Sequence, residues 1–544
     1  MRQKARGDAM KLRGILWIAV AVIFATVSVF ACYSEDASQR YIAKFEKKPG
    51  GGKDSKYWVS KIGDPVESID AFKYLIELND KSVQPDLLVL FDKDKAHRGD
   101  IAIVLAGFGD KSVVQKLING IILERPEKID QRQVVDRTNE KIAVALGRLG
   151  DPAAKPAIIK LLGQDAGNVI NAAIKAEIVF KDPAAVPALV AITKKDNLAR
   201  NIRSDAVKVL GEIGDPSAVP ALVRAMYVEK GGTLYPEASF ALMQIGSPAV
   251  PELVMTLEGK NKEVEEIGKN FIVGAIPAKA ADTLGWICDK SSYDALARVL
   301  QKSHEDNPFA TAKTAYAIAR LQDKRGAMLI SKYVVDEEDP GVRQNYLLAL
   351  NLIGDPSVLP ALFKAVKKPD VDKYKKDGAS ELELNVLRES RNEVVRAIAR
   401  IGSGKNLAEY EKMMKAEKDD KIKKTMEDNM PMLQASKECE AKLDCWIGKL
   451  NDQNKFVREK AAYQIGRIGG DQAMPILVNL IDDKEQAVQY AALQGIYNNA
   501  ERNGAKLLEL VIVKEGQMDK TKRERMTEDL KLLKLRLVKA SGKK

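Results

Sequence analysis

The sequence predicts an all-α protein, an alpha-alpha superhelix or solenoid of about twelve to thirteen helix pairs. A recurring phrase is the first observation behind this. It stands as Ile62-Gly63-Asp64-Pro65, Leu149-Gly150-Asp151-Pro152, Ile213-Gly214-Asp215-Pro216 and Ile353-Gly354-Asp355-Pro356. A near-fixed step is the second: Lys181 to Gly214 is 33 residues, Gly214 to Gly246 is 32, Gln322 to Gly354 is 32 and Ser436 to Gly469 is 33. Longer gaps coincide with the insertions Gly259 to Pro277 and Lys367 to Glu383. Composition is the third, since 45% hydrophobic but only 6% aromatic residues suit an Ala- and Leu-rich helical array better than an aromatic-cored sandwich.

Each unit can be read element by element. In residues 201–214, Ile202, Ala206, Val209, Leu210 and Ile213 fall at helical spacing and form one buried stripe. Gly214 supplies the left-handed residue that ends a helix without a side-chain clash. Asp215 caps the next turn, and Pro216 stands where a missing N–H costs little. Pro220 would break a continuous helix, so residues 215–219 are read as a one-turn lead-in and Pro220 as the start of the second helix. The same turn-and-cap roles are expected of Gly63 with Asp64, Gly150 with Asp151, and Gly354 with Asp355.

The stretch from Ala206 to Leu222, AVKVLGEIGDPSAVPAL, resembles the short HEAT-like repeats also found in phycobilisome lyases. The likeness runs over about residues 57–513, at a period shorter than the ~40–47 residues usual for HEAT units. In HEAT-like proteins an Arg and an Asp at similar spacing form a ladder between neighbouring units. The resemblance implies that role for Arg203, Arg343 and Arg458, which stand 12, 12 and 13 residues before Asp215, Asp355 and Asp471.

The sequence divides into four expected parts: a signal peptide or membrane anchor over 1–31, a flexible tether over 32–56, the repeat solenoid over 57–513, and a basic amphipathic cap helix over 514–544. The formal charge of +11 is concentrated at the ends. Residues 1–31 carry five basic groups against one acidic, and residues 514–544 carry eleven against five, which leaves the body at +1. A near-neutral body argues against nucleic acid as partner. At the amino terminus a basic start leads into the apolar run Ile15 to Ala31, and Met10 is a second candidate start. The run ends in Val29-Phe30-Ala31-Cys32, which resembles the lipobox of bacterial lipoproteins, with Cys32 as the lipidated residue. An uncleaved anchor and a plain cleaved signal share the same run, and all three readings export the body.

Catalytic chemistry is poorly supplied. The chain has two histidines, His97 and His304, and no phosphate loop or dinucleotide fingerprint follows a strand. No catalytic residue, metal ligand or cofactor is therefore assigned, and His304-Glu305 is read as a loop before Pro308. Cys439 and Cys445 are expected to form a disulfide across a turn, since six residues on one continuous helix would hold the sulfurs too far apart. Two separate core thiols are the alternative, as read for Cys288. Met526, Leu530, Leu533 and Leu537 define the apolar stripe of the carboxy-terminal helix, with Lys531, Lys534, Arg536 and Lys539 between them. The expected function is an exported, lipid-anchored scaffold in the bacterial envelope that binds a protein or peptide on its concave face. A bilin-lyase-like or chaperone-like cofactor-attachment factor is the runner-up, implied by the family resemblance.

Overall fold

The structure is a computed structural model that describes residues 49–303 and 307–542. Among the described residues every regular element is helical and none is a strand. The segment carrying Cys32 and the apolar run, and the pair His304-Glu305, lie outside the described residues. The chain separates into two compact units, one ending at Phe180 and one beginning at Lys181.

Each unit stacks consecutive helix pairs. In the first unit the leading helices are α1 (Ser68–Leu78), α2 (Arg98–Gly107), α3 (Ile129–Leu149) and α4 (Gly167–Phe180), each packed on the next. In the second they are α5 (Arg200–Ile213), α6 (Tyr235–Ile245), α7 (Ala275–Ile287), α8 (Pro308–Arg320), α9 (Pro340–Ile353), α10 (Glu381–Ile401), α11 (Asp420–Cys439), α12 (Lys455–Ile468), α13 (Gln486–Gln517) and α14 (Thr527–Ala540). Shorter partner helices such as Val219–Ala225 and Leu359–Ala365 alternate with them. The insertions hold one short helix each, Lys262–Ile267 and Val371–Lys376.

The phrase at 213–222 is resolved atom by atom. α5 buries Ile202, Ala206, Val209 and Leu210, and Gly214 closes it at φ 73°, its N–H donating to the Leu210 carbonyl. Asp215 accepts from the Ser217 N–H at 2.8 Å and opens a single 3₁₀ turn, Pro216–Ala218. The second helix then starts at Val219, with Pro220 in its first turn, where a missing N–H is tolerated. Gly150 and Gly354 close their helices in the same left-handed conformation, while Asp151 and Asp355 cap the turns after them. Lys181, Cys288 and Gln322, which stand at glycine positions of the step, also adopt positive φ of 46°, 61° and 53°. The turn geometry persists where the sequence does not favour it.

Three expectations need correction. Gly63 is not left-handed, because the short helix Ser55–Ser60 leaves through a right-handed turn at Lys61; Asp64 still caps, accepting from Val66 and Glu67 at 2.8 and 3.0 Å. Ser436 does not end its helix. It lies inside α11, bonded to the Met432 carbonyl, and Glu440 takes the positive φ instead. The end of the expected tether is ordered: Pro49–Gly52 form a tight turn with Gly50 and Gly51 at φ 65° and 62°, whose Gly50 carbonyl accepts from the Trp58 indole, and Trp58 stacks on Tyr74 at 4.7 Å. An aromatic anchor two residues past the assumed boundary explains why this glycine-rich run is held.

Candidate functional site

The site in the second unit arises from how its helices approach one another. Gly211 lies so close to α6 that an added Cβ would stand 2.7 Å from the Ala241 Cα, and the Gly466 and Gly495 backbones meet as tightly between α12 and α13. Small residues here let the leading helices pack backbone to backbone. Spaced three before the helix-ending glycine in VLGEIG and QIGRIG, Gly211 and Gly466 mark a second recurring position, a signal in the sequence that the more conspicuous Gly-Asp turns overshadow.

The carboxy-terminal helices then turn back onto the earlier ones within the same unit. Lys539 of α14 donates to the Met243 carbonyl at the end of α6, and Lys531 sits 4.0 Å above the Phe240 ring. Cys288 meets the Tyr497 hydroxyl of α13. Gln494 donates to the Asn351 and Leu352 carbonyls at 3.0 and 2.8 Å, and Arg467 to the Gly354 carbonyl at 2.8 Å. Lys460, fully buried on α12, donates to the carbonyls of Ala399, Arg400 and Gly402 where α10 ends. Its amine answers the orphaned carbonyls at that helix end, while burial and the nearby Arg467 and Arg400 pull its pKa well below the ordinary lysine range. The stripe Met526, Leu530, Leu533 and Leu537 is buried in this closure, mostly against α13.

The closure leaves a cavity of about 670 Å³. Its walls are the rings of Trp286, Tyr316, Tyr463, Tyr490 and Tyr497, with Leu348, Leu352, Leu493 and Leu533 between them. That volume lies in the range of small-ligand sites. Its two arginines are already engaged: Arg320 lies 3.8 Å above Trp286 and donates to Asp282 at 3.1 Å, and Arg400 donates to Glu459 at 2.7 Å. Asp529 stands exposed at the cavity's edge with no hydrogen bond or ion pair among the described residues; partial desolvation and the neighbouring Glu528 shift its carboxyl upward. Asn351 lies in the wall at 5% exposure, and neither Oδ1 nor Nδ2 has a partner. The Tyr463 hydroxyl in the same wall is likewise buried without a partner, and a buried polar group left unmatched costs about 1–3 kcal/mol.

The residues singled out from sequence lie elsewhere. Arg203, Arg343 and Arg458 are buried, but they do not pair with the expected aspartates: Asp215 and Asp355 are committed to their own turns, and Asp471 pairs with Lys506. Arg203 donates to the Lys230 and Gly231 carbonyls. Arg343 donates to those of Val334, Ala365 and Lys368, and Arg458 to those of Asp452 and Gln453. Each arginine thus ties down the loops that join repeats, a correction to the expected Arg–Asp ladder. Cys439 and Cys445 are joined by a disulfide with Cα atoms 5.3 Å apart, bridging the end of α11 to the next short helix across Glu440. Cys288 is a free, buried thiol, which burial pushes up.

Residues 140–164, 202–227 and 457–483 match the PBS lyase HEAT-like repeat. No curated protein sequence matches the chain. Among solved structures, one describing Kap95p binding to RanGDP is 13% identical with a TM-score of 0.39, covering 93% of this chain and 78% of that one. Human deoxyhypusine hydroxylase in complex with glycerol is 18% identical with a TM-score of 0.19, covering 57% and 98%. The karyopherin Kap121p bound to the extreme C-terminus of the protein phosphatase Cdc14p is 13% identical with a TM-score of 0.26, covering 88% and 64%. The protein is an α-helical repeat chain, and its three matched segments are similar to the PBS lyase HEAT-like repeat.

Proposed function

We propose that this chain is an exported HEAT-repeat scaffold of the bacterial cell envelope, anchored by a lipid on Cys32, whose concave face binds a protein or peptide. The Cys439–Cys445 bridge carries the export part of the reading, since a structural disulfide of this kind persists in oxidising compartments. Export also agrees with the basic start and apolar run that precede Cys32. The scaffold part rests on the repeat architecture, which offers many independently variable surfaces along the helix stack.

Labelling with a fatty-acid analogue tests the anchor: incorporation is expected in the wild type and lost in Cys32→Ala, and equal labelling of both would refute it. Crosslinking in the native envelope tests the scaffold, with a specific protein adduct as the expected result. A cofactor-attachment role is the second reading, favoured by the aromatic walls around Trp286 and Tyr490. Saturable tetrapyrrole binding to the purified protein would promote it above the first.

A further inference from the structure

We infer that the seam between α14 and α6 opens, and that the α6 surface beneath it docks a helix of a partner protein carrying two basic residues eight positions apart, in competition with Lys531 and Lys539. The inference rests on the scaffold reading and names the surface and the chemistry through which its partner is held.

Three observations carry it. α12, α13 and α14 return along the row that runs from α10 to α6, so their contacts fall in reverse order. Lys460 of α12 meets the end of α10, Gln494 of α13 the end of α9, Tyr497 of α13 the Cys288 thiol after α7, and Lys539 of α14 the end of α6. The fold-back turns at α11, so the α14–α6 seam lies farthest from that turn and is tied there by two lysines. Next, the matching between the two rows is polar and uneven. The apolar stripe of α14 lies mostly against α13, whereas the Asn351 amide, the Tyr463 hydroxyl and Arg536 Nε are buried between the rows without partners. Burial also pulls the Lys539 amine down to about 8, so its charged form is better served by water. A seam built this way separates at less cost than the apolar helix pairs within a repeat. The third observation is what α6 offers. Phe240 presents a ring face 4.0 Å below Lys531, and Met243 presents a carbonyl of the last helical turn to Lys539; both favour cations. Eight residues make just over two helical turns, so cations at that spacing share one face and meet the same two groups. An acidic helix would meet that helix end with like charge.

Cys288, buried against Tyr497, is the reporter, because a small maleimide reaches its thiol when the seam opens. The full chain is labelled under non-reducing conditions with an acetylated, amidated peptide of residues 526–541, or with its counterpart bearing Lys531→Gln and Lys539→Gln. Labelling is read by mass spectrometry on the fragment containing Cys288. The basic peptide is expected to accelerate labelling saturably, by about tenfold or more, and the glutamine peptide to leave the rate unchanged. Lys539→Met is expected to raise the rate without any peptide by about the same factor. Hydrogen exchange in α10 and α11, followed in the same samples, is expected to stay at the wild-type rate. A labelling rate that neither the basic peptide nor Lys539→Met changes overturns the inference, as does equal acceleration by the two peptides. Faster exchange in α10 and α11 also overturns it, since the thiol would then report general unfolding. Should envelope crosslinking capture a partner that leaves Cys288 labelling unchanged, the docking surface falls while the scaffold reading stands.

Discussion

Backbone conformation at single positions carries much of this fold's specification. Gly214 sits at φ 73° with open space around an added Cβ, the nearest atom being 4.0 Å away, so Gly214→Ala meets a conformational cost rather than a clash. A loss of about 1–2 kcal/mol is expected in chemical denaturation. Glu440 presents the converse case, at φ 50° and ψ −121° without being glycine, and Glu440→Gly is expected to add about 1 kcal/mol by the same measurement. The capping aspartates also titrate. Backbone N–H bonds from Ser217 and side-chain bonds from Gln84 lower the carboxyls of Asp215 and Asp110, respectively. A carboxyl depressed in the folded state stabilises it above the ordinary carboxylate range, and that stabilisation is lost as pH falls through the folded value. The melting midpoint is therefore expected to be nearly flat from neutral to about pH 5 and to fall below about pH 4. Asp215→Asn keeps an acceptor but removes the titration, and is expected to soften that fall.

At the scale of the helix, a few long-range tethers do what local propensity does not. Lys460 reaches three terminal carbonyls of α10 from about sixty residues away in sequence. Replacing it with Met leaves those carbonyls unmatched in a buried place, and a loss of about 1.5–3 kcal/mol is expected in denaturant unfolding. Reduction of Cys439–Cys445, by contrast, releases only a six-residue separation and is expected to cost about 2 kcal/mol. The contrast also marks what the sequence could disclose. Helix pairs, the cap at Asp215, the lead-in turn before Pro220 and the insertions at 259–277 and 367–383 are local patterns, and each could be read from spacing alone. The cavity could not, because Trp286, Asn351, Tyr490 and Asp529 come from separate repeats and share no motif; the packing of α13 on α7 and α9, with α14 beside it, assembles them. The arginines were legible as recurrent, but their burial and their carbonyl partners, in loops whose course no periodicity reports, were not.

At the scale of the molecule, two compact units imply that unfolding need not be a single event. Stacked repeats propagate stability to their neighbours, so a change should be felt along its own unit first. α14 is the sharpest probe, because Leu537 is fully buried in the closure while Lys539 on the same helix bonds the end of α6. Leu537→Asp places a charge where burial penalises it heavily, and it should detach α14 rather than loosen every helix equally. Hydrogen exchange monitored by mass spectrometry is expected to speed up in α14, in α6 around Met243 and in α13 around Tyr497, where the closing contacts lie. Exchange in α2 and α3, in the other unit, is expected to stay at the wild-type rate. Uniform acceleration through both units would mean that the chain unfolds as one cooperative body and that the closure is not a separate structural event. Acceleration confined to α14 would mean that α6 and α13 keep their packing even when the cavity has lost Leu533 and Asp529.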